Sequence, residues 1–202
     1  AEDEKDEADF IAREINILKN GNLKYSDFAV LYRTNAQSRA LEDVFARRGI
    51  PYRVLSGMRY YDRKEVKDMM SYMRLVLNPK DDLALRRIIN EPKRGIGAKT
   101  LEKLFTLAEI RGQSLMESLW EDDVLDTLPK KAFEDVKKMA RTIELCREEA
   151  DSLSVADIYD LLLVNTGYLS ALESENTVES ESRIENLMEF KSVIENYENE
   201  SE

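Results

Sequence analysis

Asp81-Asp-Leu-Ala-Leu-Arg-Arg-Ile-Ile-Asn90, then Glu91-Pro-Lys-Arg-Gly-Ile-Gly97, then Ala98-Lys-Thr-Leu-Glu-Lys-Leu104: this stretch decides the fold class. Asp81 to Ile89 reads as a helix bounded by Pro92. Ala98 to Arg111 reads as another, with Leu101, Leu104, Phe105 and Ala108 inward and Gly112 at its stop. Between them lies a tight turn whose glycines, Gly95 and Gly97, bracket one apolar residue, Ile96. Glycine permits positive φ and lets a phosphate approach the backbone closely. The second helix begins at once, so its unpaired amides and positive dipole end face whatever sits at the turn. Lys93, Arg94 and Lys99 add charge around that cradle, and Thr100 adds a hydroxyl. The pattern predicts a phosphate clamp of helix-hairpin-helix type, which grips backbones without reading bases. The plainer alternative is a pair of helices packed only for structure.

Working outward, helical signals continue on both sides. Asp62-Arg-Lys-Glu65 has capping-box spacing and opens a helix carrying Val66, Met69, Met70, Met73, Val76 and Leu77, which stops at Asn78-Pro79. Downstream, Ser114-Leu-Met-Glu117 caps a short helix, and Pro129 introduces a long one through Phe133, Val136, Met139, Ile143 and Cys146. Ser154-Val-Ala-Asp157 caps another, and Ser182-Arg-Ile-Glu185 is predicted to cap the last. The Glu/Ser-rich stretch from Glu173 to Ser182 reads as a mobile loop. The methionines at helical spacing read as core packing, and Trp120 as a core or loop anchor. Upstream the grammar differs. A helix from Phe10 to Leu18 ends near Asn20-Gly21, Phe28-Ala-Val-Leu-Tyr32 reads as a buried strand, a helix follows from Ala36 to Arg48, and Pro51-Tyr-Arg-Val-Leu55 reads as a second strand. The expected fold is therefore mainly α: a helical bundle over residues 58–202 with the helix-hairpin-helix element, preceded over residues 1–57 by a partial α/β piece with about two strands.

Composition removes several chemistries. The 202 residues contain no histidine and a single cysteine, Cys146, so histidine-based nucleophile pairs, histidine metal sites and disulfide frameworks are excluded. Adjacent acids such as Asp81 and Asp82 could suggest a metal-dependent enzyme, but acids at a helix start usually serve as caps. No apolar run is long enough to span a membrane, and the acidic start does not resemble a signal peptide, so an intracellular protein is expected. A net charge of −11 argues at first sight against nucleic acid. The distribution reverses that. Residues 1–9 and 171–202 are acidic, whereas the window from Arg33 to Lys103 holds seventeen Lys/Arg against nine Asp/Glu.

A family resemblance covers almost the whole chain. Ala29-Val-Leu-Tyr-Arg-Thr-Asn-Ala-Gln-Ser-Arg39-Ala-Leu-Glu42 resembles a segment of the second motor domain (2A) of UvrD/PcrA/Rep-type superfamily 1 DNA helicases. Ile50-Pro-Tyr-Arg-Val54, Ser56-Gly-Met-Arg59, Glu65-Val-Lys-Asp68, Tyr72-Met-Arg-Leu75 and Asn78-Pro-Lys-Asp-Asp82 resemble the entry into that family's inserted helical 2B domain. Arg87 to Gly97 resembles its duplex-binding hairpin, and Arg183-Ile-Glu-Asn-Leu187-Met-Glu-Phe190 the stretch before return to 2A. The resemblance implies an excised accessory segment of an ATP-dependent 3′ to 5′ helicase of DNA repair or replication. It implies double-stranded DNA, single/double-strand junctions and the remaining helicase domains as partners, with repair or transcription proteins as further ones, and a bacterial cytoplasmic, nucleoid-associated setting. Neither Gly-x-x-x-x-Gly-Lys-Ser/Thr nor an Asp-Glu-x-x-Asp block occurs, so no cofactor is expected here, and ATP and Mg belong to the parent. The resemblance further implies that Lys93, Arg94, Gly95, Ile96, Gly97, Lys99 and Thr100 touch duplex. It puts Arg33, Asn35 and Arg39 where 2A meets single strand or a neighbouring domain, the plainer reading being that they cap and bridge strand to helix. Residues 57–61 become a hinge with Arg59 as a DNA contact, while Tyr60 and Tyr61 read as packing residues. The rival expectation is a protein-interaction module that restrains the motor or recruits partners, for which the methionine-rich helix and acidic C-terminal stretch would serve.

Overall fold

The computed structural model describes residues 3–19, 23–34, 36–55, 59–125 and 127–201. Two compact units are found, Ala1–Val66 and Lys67–Glu202. The expected domain boundary at 57/58 lies outside the described residues.

In the first unit, α1 (Glu4–Lys19) packs on α2 (Ser38–Arg47). Helix α1 starts earlier than the apolar periodicity alone predicts. Asp3 Oδ1 accepts from Asp6 N at 2.7 Å, and Glu4, Asp6 and Glu7 complement the positive end of the helix dipole. The core comprises Ala8, Ala12, Ile15, Ala40, Val44, Phe45 and Ile50, with Phe28, Val30 and Tyr52 packed against it. Glu42 is buried. It accepts from Ser38 Oγ (2.9 Å), Tyr52 Oη (3.2 Å) and Tyr60 N (3.2 Å), and Arg63 donates to Ser38 Oγ at 2.8 Å. These bonds fasten the short 3-10 turn Tyr60–Asp62 to α2.

The two expected strands are not formed among the described residues. Phe28–Tyr32 and Pro51–Leu55 form no regular element, although burial alternates along them: Phe28, Val30, Tyr52 and Val54 are half-buried, while Leu31 and Leu55 stand 94% and 83% exposed. What is missing is the ladder. A strand is defined by bonds to a neighbour, and an apolar run records only a preference for extended backbone.

The second unit is helical, as the periodicity predicts. Its helices are α3 (Lys64–Leu77, which begins in the first unit), α4 (Asp82–Ile88), α5 (Ala98–Arg111), α6 (Leu115–Ser118), α7 (Asp122–Leu125), α8 (Lys130–Glu148), α9 (Val155–Asn165), α10 (Tyr168–Glu175) and α11 (Val178–Ser201). Helices α8, α9, α10 and α11 pack in succession, and α6 closes against α4 and α5. Buried Leu85, Ile88, Leu104, Leu115, Val136, Tyr159, Leu162 and Leu187 fill the interior. Met69 is fully buried and Met73 half-buried, as the core-packing reading expects, whereas Met70 is 39% exposed.

The expected loop from Glu173 to Ser182 is instead the end of α10 and the start of α11. Asn176 turns the chain in the left-handed region at φ 47°, a conformation asparagine tolerates. Thr177 and Ser180 then cap each other reciprocally, Ser180 N donating to Thr177 Oγ1 at 3.0 Å and Thr177 N to Ser180 Oγ at 3.1 Å. The last helix therefore starts at Val178 rather than after Ser182. Serine and glutamate here are cap and solvent-face residues.

Candidate nucleic-acid interface

The α4–α5 turn forms where the sequence predicts it. Asp81 caps α4, its carboxylate accepting from Ala84 N at 3.0 Å, and these bonds hold the Asp81 carboxyl below the usual carboxylate range, helped by the Arg74 guanidinium at 2.5 Å. Asp82 accepts from Leu115 N at 2.9 Å. Both acids are thus occupied with helix starts.

Within the turn, Asn90 acts as the internal strut. Its Oδ1 accepts from Arg94 N (2.9 Å) and Ile96 N (3.3 Å), and its Nδ2 donates to Ile96 O (3.1 Å). Ile96 is buried to 5% exposure, so its side chain anchors the loop and does not reach a ligand. Gly95 sits at φ 77° and requires glycine's freedom. Gly97 does not: it is the N-cap of α5 at φ −73°, ψ 156°. A Cβ added at Gly97 would meet nothing within 4 Å, so the space in front of it is open.

Arg94 corrects the sequence reading most sharply. It is only 5% exposed. One guanidinium nitrogen donates to Ile88 O (2.9 Å), Ile89 O (3.0 Å) and Glu91 O (3.0 Å), and the other to Tyr72 Oη (2.9 Å) and Thr166 O (3.3 Å). A cation on the last carbonyls of α4 meets both their lone pairs and the negative end of the helix dipole. Arg94 therefore holds the turn to α3 and α9 from inside and has no free donor face for a phosphate. Tyr72 shares the arrangement, donating to Glu91 O at 2.5 Å, and burial pushes its phenol up. A neighbouring cluster completes the support, with fully buried Asp68 accepting from Arg87 Nε (2.7 Å) and Tyr168 Oη (2.8 Å).

Of the remaining hairpin residues, Lys93, Gly95, Gly97 and Lys99 are exposed and Thr100 is half-buried. Neither lysine has a carboxylate within ion-pair distance among the described residues. The turn thus gathers two bare ammonium groups, an open glycine face and the unpaired first-turn amides of a 14-residue helix.

The other candidates are dispersed. Arg33 is exposed, and the turn after it is pinned by Gln37, whose Oε1 accepts from Arg33 N (2.9 Å) and Thr34 N (3.1 Å). Arg39 is half-buried and pairs with Asp43 at 3.2 Å. Arg59 is exposed with its guanidinium 5.7 Å from the Tyr52 ring centroid. Tyr60 is fully buried, as a packing residue should be, while Tyr61 is 39% exposed against it. Asn35 and residues 56–58 lie outside the described residues. Missed altogether by the sequence reading is the exposed face of α8, whose lysines lie beyond the basic window that ends at Lys103.

Comparison with known proteins matches residues 1–202 to the family described as UvrD-like helicase C-terminal domain. The chain belongs to the UvrD-like helicase C-terminal domain family. Its relatives include the ATP-dependent DNA helicase PcrA of Staphylococcus aureus, 44% identical over 195 residues, and that of Staphylococcus epidermidis, 43% identical over 195 residues. Each alignment takes in 96% of this chain but 27% of the relative, so the chain spans about a quarter of the length of the helicases it matches. The match describes the whole chain as one C-terminal region and does not single out an inserted domain. No helix among the described residues is long and apolar enough to cross a membrane.

Proposed function

We propose that the Lys67–Glu202 unit is the 2B-type accessory part of an ATP-dependent DNA helicase, and that its α4–α5 turn grips the backbone of duplex DNA next to the single/double-strand junction. The observation that carries this is the combination at one turn of exposed Lys93 and Lys99 with the open face of Gly97 at the start of α5. Phosphate oxygens would take the first-turn amides, the Thr100 hydroxyl and the two ammonium groups. Binding of this kind is sequence-independent and falls steeply with salt. Arg94, Asn90 and Ile96 keep the turn rigid, so its amides need no reorganisation on binding.

In this reading the chain itself holds neither ATP nor magnesium. It has no phosphate-cradling glycine loop with lysine, and no cluster of three metal-ligating side chains occurs among the described residues. ATP hydrolysis and the unwinding it drives belong to other parts of the longer protein in this reading, as does any role in repair or replication. Of the methionines on the methionine-rich helix, the protein-docking alternative has only Met70 exposed, since Met69 is buried and Met73 half-buried.

The test is fluorescence anisotropy of a labelled duplex with a single-stranded tail, titrated with the chain at low and moderate salt. Lys93→Ala/Lys99→Ala and Gly97→Val variants are expected to bind more weakly. Parent-like binding by both would remove the hairpin from the interface.

A further inference from the structure

Helix α8 carries a second cationic surface that the hairpin reading does not use. Its buried stripe is Ala132, Val136, Met139, Ala140, Ile143 and Cys146. At 100° per residue the opposite face holds Lys130, Lys131, Lys137, Lys138 and Arg141, all exposed, interrupted by Glu134. None of these five cations lies within ion-pair distance of a carboxylate among the described residues, and the Lys137 ammonium rests 5.2 Å from the Phe133 ring centroid. Several cations elsewhere are paired, Arg48 with Asp9, Arg74 with Asp81, Arg87 with Asp68 and Lys191 with Asp160, whereas here five that are unpaired among the described residues stand on one helix face. An acidic chain with partners to spare leaves this face bare.

The arrangement works against the helix that carries it. Lys130 and Lys131 stand in the first turn, at the positive end of the dipole, and that turn itself holds no acid, the nearest on the helix being Glu134 and Asp135 one turn later. Arg141 follows Lys137 by four residues and Lys138 by three, spacings at which like charges repel. A bound polyanion removes both penalties. From Lys130 to Arg141 the face runs about 16 Å along the axis at about 1.5 Å per residue. That length passes about five phosphates of one DNA strand at about 3.4 Å of axial rise each. Over this span no large apolar side chain is exposed on the face, whereas protein interfaces centre on apolar or aromatic anchors and are poor in lysine.

We infer that the Lys130–Arg141 face of α8 is a second DNA-backbone contact, distinct from the α4–α5 turn and independent of whether that turn binds DNA. It engages phosphates through mobile ammonium groups, adds to affinity without adding sequence preference, and contributes its own share of the salt dependence.

The experiment measures the slope of log affinity against log salt for a short labelled duplex, using the 202-residue chain. Four proteins are compared: the parent, Lys130→Ala/Lys137→Ala/Lys138→Ala/Arg141→Ala, the charge-retaining Lys137→Arg/Lys138→Arg, and Lys93→Ala/Lys99→Ala. Alanine is a good helix former, and thermal melts confirm that each variant is folded. The expected result is a slope lowered by about 0.9 for each lost contact, about 1.8 to 3.6 for the loss of two to four, with at least about a tenfold loss of affinity at moderate salt. The arginine variant keeps the parent slope. An α8 quadruple variant with parent-like slope and affinity overturns the inference, as does failure of the parent to bind duplex at low salt. Loss in the α8 variant with none in Lys93→Ala/Lys99→Ala upholds the inference and removes the hairpin reading; the reverse upholds the hairpin alone. If the α8 variant loses only a salt-sensitive self-association seen by sedimentation, the face joins copies of the chain and the inference falls.

Discussion

At the scale of single residues, the arginine beside the turn glycines shows how a charge can be conspicuous in sequence and absent from the surface. Arg94 spends its donors on three carbonyls around the end of α4, on Tyr72 Oη and on Thr166 O. Replacing it by Met keeps the length and leaves those acceptors dry. A loss of about 3 kcal/mol of stability is expected in urea unfolding, since breaking a buried charged hydrogen-bond set costs about 3–5 kcal/mol and each orphaned polar group about 1–3. Lysine should recover only part of this, because a point charge cannot span acceptors arranged for a planar fork. A change within about 0.5 kcal/mol, the range of ordinary surface positions, would show that Arg94 is not the internal brace. The two glycines separate in the same assay. Gly95→Ala forces a side chain into φ 77° and should cost about 1 kcal/mol, whereas Gly97→Ala meets open space at an ordinary φ and should leave stability within about 0.5 kcal/mol while weakening duplex binding.

At the scale of elements, the parts of the fold that could be read from sequence are those written in local chemistry. Ser114 with Glu117 and Ser154 with Asp157 form the capping boxes their spacing predicts, and Gly112 ends α5 at φ 65°. Asn176 and Thr177 mark a helix boundary just as local, but a serine- and glutamate-rich composition masks it. The two expected strands could not be resolved, because pairing is a property of two segments and the apolar runs describe one each. For the candidate site, the exposed lysines and the left-handed Gly95 were legible. Arg94 was not, since the letter does not say whether a guanidinium meets water or the end of the preceding helix; its position just past α4 was the available hint. The capping of α4 also makes a pH prediction. The Asp81 carboxyl is held low, first by the bond from Ala84 N, so its contribution is full above the unfolded value near 4 and is lost as pH falls through the lower folded value. Asp81→Ala should therefore cost about 1 kcal/mol at neutral pH. That difference should shrink below about pH 3 in paired urea titrations, and a difference independent of pH would mean that the carboxylate is not the cap.

For the whole molecule, the two units are unequally equipped to stay folded. The Ala1–Val66 unit is built on two helices whose small buried core is Ala8, Ala12 and Ala40 with Ile15, Val44, Phe45 and Ile50, and its irregular segments leave Leu31 and Leu55 exposed. A core in so short a stretch rarely supplies more than about 3–5 kcal/mol. The Lys67–Glu202 unit buries large side chains from many helices and braces them with the Arg94 and Asp68 clusters. Backbone amides in Phe28–Tyr32 and Pro51–Leu55 have no ladder to protect them, so they should exchange with solvent fastest, followed by α1 and α2. Those in the centres of α8 and α9 should exchange only through opening of the larger unit. Hydrogen exchange followed by mass spectrometry is expected to show at least about a hundredfold difference in protection between the slowest amides of the two units, equivalent to about 2.7 kcal/mol of opening free energy. Equal protection would mean that the chain unfolds as one cooperative body, with the first unit drawing stability from beyond its own core. The predicted inequality would place the lysines proposed to face phosphate on the unit whose own core is large enough to hold them without help.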